Sequence, residues 1–208
     1  MSILLVAGLG NPGREYAKTR HNAGFAVIEA FAARHALTWK SPARFEAKVA
    51  RWDRPAGRTC LLARPMTFMN DSGRAVRMLA DFYKVPPDGV AVVYDDLTIE
   101  LGRIKTTVRG SAGGHNGVAS LLEHLTGGFI RYRIGIGPKH PPEMDLKDFV
   151  LGKFTPDEQT IFDQQLSNYI DGLDLLIKQG PDQAMNQLNR RTDQHDPDQT
   201  QVPRDLHP

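Results

Sequence analysis

Three polar clusters in this 208-residue sequence carry side chains able to do chemistry. His21 lies in Thr19-Arg20-His21-Asn22, at the head of a stretch with helical apolar spacing and outside its apolar positions. An imidazole so placed can act as a base near neutral pH if a carboxylate orients it. Asp95-Asp96 closes the apolar run Val90–Tyr94. One aspartate of the pair is available to His21 while the other caps a turn; the blander alternative is that both only terminate the strand. A paired-carboxylate metal site would need further ligands, and the sequence offers no clear set. Amides form the third group: Asn11 in Gly8–Gly13, Asn70 in Met66-Thr67-Phe68-Met69-Asn70, and Asn116 in Gly113-Gly114-His115-Asn116-Gly117. Asn116 either caps a helix or donates to a ligand, and the glycines before it allow close backbone approach.

Gly8-Leu9-Gly10-Asn11-Pro12-Gly13 fits G-x-G-x-x-G, which invites a dinucleotide reading. That reading requires a helix N-terminus with free N–H groups aimed at a pyrophosphate. Pro12 has no N–H, and Arg14–Arg20 lacks an apolar helix face. The loop is expected to bend the chain and present Asn11.

The elements that must position these residues follow from periodicity. Ile3–Ala7, Phe45–Trp52, Thr59–Arg64, Val90–Tyr94, Arg103–Val108 and Tyr132–Ile136 read as strands, with a turn at Pro55-Ala56-Gly57. Helices are expected over about Asn22–His35, from Asp71 or Ser72 to before Pro86 with Val76, Leu79 and Tyr83 inside, and from Asn116 or Gly117 with Val118, Leu121, Leu122 and Leu125 inside. Pro138, Pro141 and Pro142 mark a loop. Thr155-Pro156-Asp157-Glu158 is a capping box opening a helix to about Gln179, and a short helix over Asp182–Asn189 follows Gly180-Pro181. Strands alternating with helices predict one α/β domain over residues 1–190, a mixed twisted central sheet flanked by helices. The polar segment 191–208 is expected to be a mobile tail. Sites in such folds lie beyond the carboxyl ends of strands, where the Gly8–Gly13 loop and Asp95 both fall.

Net charge is +2, but Thr192–Pro208 holds four aspartates against one arginine, which leaves the rest at +5. Basic residues gather between Arg103 and Lys153, a pattern suited to phosphate backbones or simply to a solvated surface. Cys60, the single cysteine, excludes an intramolecular disulfide and stands in an apolar run, as a core thiol does. The N-terminal apolar run is too short to cross a membrane and has no basic flank. These features favour the cytoplasm.

Taken in order, the motifs resemble a known family. Gly8–Gly13, Tyr16, Thr19-Arg20-His21-Asn22-Ala23-Gly24, Pro65–Asn70, Asp95-Asp96-Leu97, Gly110–Gly117, Arg133-Ile134-Gly135-Ile136-Gly137 and Phe149-Val150-Leu151 are similar to the bacterial peptidyl-tRNA hydrolases, over roughly Ile3 to Asn189. The resemblance implies hydrolysis of the ester between a peptide and the terminal ribose of tRNA, with no cofactor or metal. It implies that His21 is the catalytic base and that Asp95 orients it. Asn11, Asn70 and Asn116 then contact substrate, with Tyr16, Phe68, Met69 and His115 in the cleft, and Lys105 and Arg133 meet tRNA phosphate. The expected partner is peptidyl-tRNA, taken up by a monomer with no obligate protein partner and no membrane. The chain departs from the family pattern at Tyr94, where many members have histidine, in Thr98–Glu100, and at Thr107, where some carry a further basic residue. A nucleotide-dependent oxidoreductase and a non-catalytic RNA-binding relative are the competing readings; the second predicts a damaged His21 or Asp95, and both residues are present.

Overall fold

A computed structural model describes residues 2–54 and 59–190. The expected turn at Pro55–Gly57 and the tail from 191 lie outside the described residues. Four parallel strands form the middle of a seven-stranded sheet: β1 (Leu5–Gly8), β4 (Thr59–Pro65), β5 (Val90–Glu100) and β7 (Ile130–Gly137). β2 (Trp39–Lys40), β3 (Ala47–Asp53) and β6 (Ile104–Thr107) add antiparallel edges, in the order β2-β3-β4-β1-β5-β7-β6. The sheet is therefore mixed. β1, the Val90–Tyr94 half of β5 and the heart of β4 are buried apolar runs, as strands covered on both faces must be.

One face packs against α1 (Ala23–Arg34) and α5 (Pro156–Gln179), with Val27, Ile28, Phe31, Tyr169, Leu173 and Leu176 meeting Val6, Leu62, Val93 and Tyr132. The other face packs against α2 (Ser72–Phe82) and α3 (Asn116–Leu125), where Val76, Leu79, Val118 and Leu121 meet Leu5, Ala7, Val92 and Tyr94. α5 opens on the expected capping box, Thr155 accepting from the Glu158 N–H and Glu158 from the Thr155 N–H. α6 (Pro181–Leu188) follows Gly180.

Three expectations change. Tyr83 is 41% exposed, not inside: α2 ends at Phe82, the chain turns outward through Lys84 at φ 54°, and Ala80 takes the inner position. β5 does not stop at Tyr94 but continues to Glu100 through a register irregularity after Asp96. The proline-rich stretch read as loop ends in a helix, α4 (Leu146–Leu151), capped by Asp145, which accepts from the Lys147 N–H.

Candidate active site

His21 is placed by two close approaches. It lies in a 3-10 turn (Arg20–Asn22) leading into α1, and Gly24 brings that helix against the sheet. A Cβ at Gly24 would lie 2.3 Å from the Val93 carbonyl oxygen and 2.6 Å from that of Leu9, so only glycine allows α1 to sit this close to β5. Two residues beyond Val93 on the same strand stands Asp95. The His21 Nδ1 lies 3.0 Å from both Asp95 oxygens, with His21 7% and Asp95 3% exposed.

Asp95 has a second imidazole partner. His115 Nε2 lies 3.1 Å from Asp95 Oδ1, and the two histidine rings are 4.8 Å apart. His115 Nδ1 accepts the N–H groups of Gly117 and Val118, so this side chain caps α3. The cap fixes the tautomer: the hydrogen of a neutral His115 sits on Nε2 and is donated to Asp95. Asn116, which the sequence offered as a possible cap, does not serve as one and lines the cleft. Burial alone would raise the Asp95 pKa, but His21 and His115 together hold it far below the usual carboxylate range. Burial likewise opposes charge on His21, yet the Asp95 charge and hydrogen bond leave its pKa raised above 6.5.

His21, Asp95 and His115 also offer ligand atoms within 4.8 Å of one another, a spacing that would suit a cation. The hydrogen bonds oppose that use. A metal on His115 Nε2 would push the ring proton to Nδ1, against two amide N–H donors. Asp95 is built here as an acceptor for two imidazole N–H groups.

The glycine loop after β1 opens no helix; regular helix begins at Ala23. The loop instead presents Asn11, as expected. Asn22 clamps it from both sides, accepting the Asn11 N–H and donating to the Asn11 carbonyl. The Met69 N–H donates to Asn11 Oδ1 at 2.8 Å, which turns the Asn11 NH₂ group away; among the described residues that group has no partner. Asn11, His21, Phe68, Met69, Asn70, His115 and Asn116 all line one cleft of about 750 Å³, with Asp95 at its base. Phe68 is 57% exposed at its mouth. Tyr16 stands outside the lining, its ring edge-on to Phe68 at 6.3 Å.

Asp96 performs the turn-capping half of the pair: it accepts the Thr98 N–H and hydroxyl, and Arg133 Nε at 2.8 Å. Burial opposes ionisation, but these donors lower its pKa. Arg133 lines the basic side of the cleft, whereas Lys105, its register partner across β6–β7, stands beside the cleft on the same face. Arg131 is not among the cleft residues expected from the sequence. It is buried, lines the cleft, and its guanidinium donates to the carbonyls of Gly110 and Ser111, holding the loop before His115. Its spacing of two from Arg133 on a strand was the available signal.

The sequence model of the peptidyl-tRNA hydrolases matches residues 5–196. The chain belongs to the peptidyl-tRNA hydrolase family. It is 43% identical over 199 residues to the peptidyl-tRNA hydrolase of Gloeobacter violaceus, covering 95% of this chain and 100% of that one. Against the peptidyl-tRNA hydrolase of Mycobacterium tuberculosis it is 46% identical over 187 residues, 89% and 97% of the two chains. The crystal structure of the Acinetobacter baumannii peptidyl-tRNA hydrolase superposes with a TM-score of 0.82 at 38% identity, covering 90% of this chain and 94% of that one. Family membership and fold agree with the α/β architecture expected from the sequence. No helix among the described residues is long and apolar enough to cross a membrane.

Proposed function

We infer that this chain, an ester hydrolase of the peptidyl-tRNA hydrolase family, cleaves the bond between peptide and terminal ribose by water attack, with His21 as general base and Asp95 as its orienting carboxylate. The observation that carries this reading is the bond from His21 Nδ1 to Asp95 in a ring that also lines the amide-rich cleft. Nδ1–H donates to Asp95, which leaves Nε2 to accept a proton from water. General-base assistance of this kind contributes about 10²–10⁴-fold. The free NH₂ of Asn11, or that of Asn116, is available to the developing oxyanion, worth about 10²–10³-fold. Asn70, Phe68 and Met69 contact the peptide side, with Tyr16 backing Phe68. Lys105 and Arg133 meet tRNA phosphate.

Selectivity for N-blocked substrate has a physical basis. A free α-ammonium would lose hydration in a cleft lined by amides, whereas an acylated nitrogen offers a neutral partner. The buried Cys60 thiol, its pKa pushed up to about 12, is inert. We read the enzyme as a cytoplasmic monomer. The test is release of N-acetylamino acid from N-acetyl-aminoacyl-tRNA beside free aminoacyl-tRNA. Rapid release from the first and sparing of the second is expected. Binding of tRNA by folded protein without release would assign the chain to non-catalytic RNA binding.

A further inference from the structure

Arg20, the neighbour of His21, has no part in the chemistry above, yet its side chain is among the most constrained in the molecule. It is 7% exposed. Its Nη2 lies 2.5 Å from Glu158 Oε2 and its Nη1 donates to the Phe149 carbonyl at 3.2 Å. The guanidinium plane centre is 4.3 Å from the Phe149 ring centroid and 5.4 Å from that of Phe154. The backbone repeats the link: the Arg20 N–H donates to the Gly152 carbonyl, and Thr19 bridges to Lys153. These partners lie on α4 (Phe149), in the α4–α5 connection (Gly152, Lys153 and Phe154) and at the start of α5 (Glu158), and α4 supplies Leu146, Lys147, Val150 and Leu151 to the cleft wall.

A buried ion pair is a weak stabilising device, because desolvation offsets most of its attraction. Here the cost is greater, since Arg20 Nε is buried without a partner. What such a cluster does supply is a single geometry: a flat cation fixed by two acceptors and two ring faces has few alternative positions. The same Glu158 oxygen also accepts the Thr155 N–H, so the helix cap of α5 and the clamp on Arg20 share one carboxylate.

We propose that Arg20 is a positioning residue that locks the α4 wall of the cleft to the turn carrying His21, so that substrate and base keep one alignment. The proposal rests on His21 acting as base. A misplacement of about 1 Å is enough to cost on the order of 10²-fold in rate. The backbone links at Gly152 and Lys153 do not depend on the side chain, and the basic wall on β6 and β7 lies elsewhere. Loss of the clamp should therefore act on turnover more than on binding.

The experiment compares Arg20→Gln, Arg20→Lys, Glu158→Ala and Thr155→Ala with the parent on N-acetyl-aminoacyl-tRNA, well below each melting temperature. Arg20→Gln is expected to lower kcat about 10- to 100-fold, with KM changed less than about threefold. Arg20→Lys keeps the charge but not the flat donor pair, and should fail to restore kcat. Thr155→Ala breaks the cap without touching Arg20; it should lower Tm and leave kcat alone, while Glu158→Ala lowers both. If Arg20→Gln does not fold, the contrast between Glu158→Ala and Thr155→Ala carries the test. The proposal is overturned if Arg20→Gln and Glu158→Ala lower only Tm, or if Arg20→Lys regains full kcat. Full turnover by His21→Ala would overturn the base assignment by itself, which keeps the two failures distinct.

Discussion

His21 and His115 both present N–H groups to Asp95, but their other nitrogens divide the duties. His115 spends its second nitrogen on the α3 cap, whereas His21 keeps Nε2 for the cleft. The base must be unprotonated, so activity is lost as pH falls through the His21 pKa. Because that pKa is raised, the acid limb of kcat/KM should lie above 6.5. Asp95→Asn removes the charge that raises it and leaves the burial that lowers it. The limb should move to lower pH while kcat falls by about 10³–10⁴-fold, since an amide does not fix the tautomer. A pH–rate profile with an unmoved limb would break the assigned link between the two residues. His21 and Asp95 were legible in the sequence, as polar side chains at a helix start and a strand end. The double use of His115 was not, because it depends on a loop conformation set by Arg131 and by glycines at positive φ (110, 113 and 114).

At the scale of elements, α1 and β5 are held in contact by Gly24, and this contact sets the distance from His21 to Asp95. Gly24→Ala should cost about 1–3 kcal/mol through overpacking and should depress turnover with it. Thermal denaturation and the ester assay on the same sample check both; unchanged turnover would mean that the pair does not need this contact. Thr155→Ala, at the capping box of α5, should cost about 1 kcal/mol. Most strands and helices were legible because their apolar periods are regular. β2 and α4 were not: a two-residue strand has no period, and the prolines before Asp145 masked a six-residue helix. Tyr83 had the right spacing but fell one residue past the helix end.

Arg131 and Arg133 on β7 line the same cleft as Asn11, Asn70 and Asn116, and Lys105 on β6 pairs with Arg133 beside it. A phosphate-bearing substrate approaching such a surface releases counterions, so its binding weakens with salt. Lys105 has no ion-pair partner among the described residues, while Arg133 shares its charge with Asp96. Lys105→Ala should therefore raise KM and reduce the salt slope by up to about 0.7–0.9, with Arg133→Ala smaller on charge grounds. A slope unchanged in both would remove them from the tRNA path. The fold class followed from strand–helix alternation, whereas the closeness of distant segments had to come from the sheet order. The central claim, that one imidazole activates the attacking water, is tested most directly by turnover of N-acetyl-aminoacyl-tRNA by His21→Ala beside the parent. The expected result is a loss of at least about 10²-fold with the fold and tRNA binding intact. Turnover near that of the parent would contradict it.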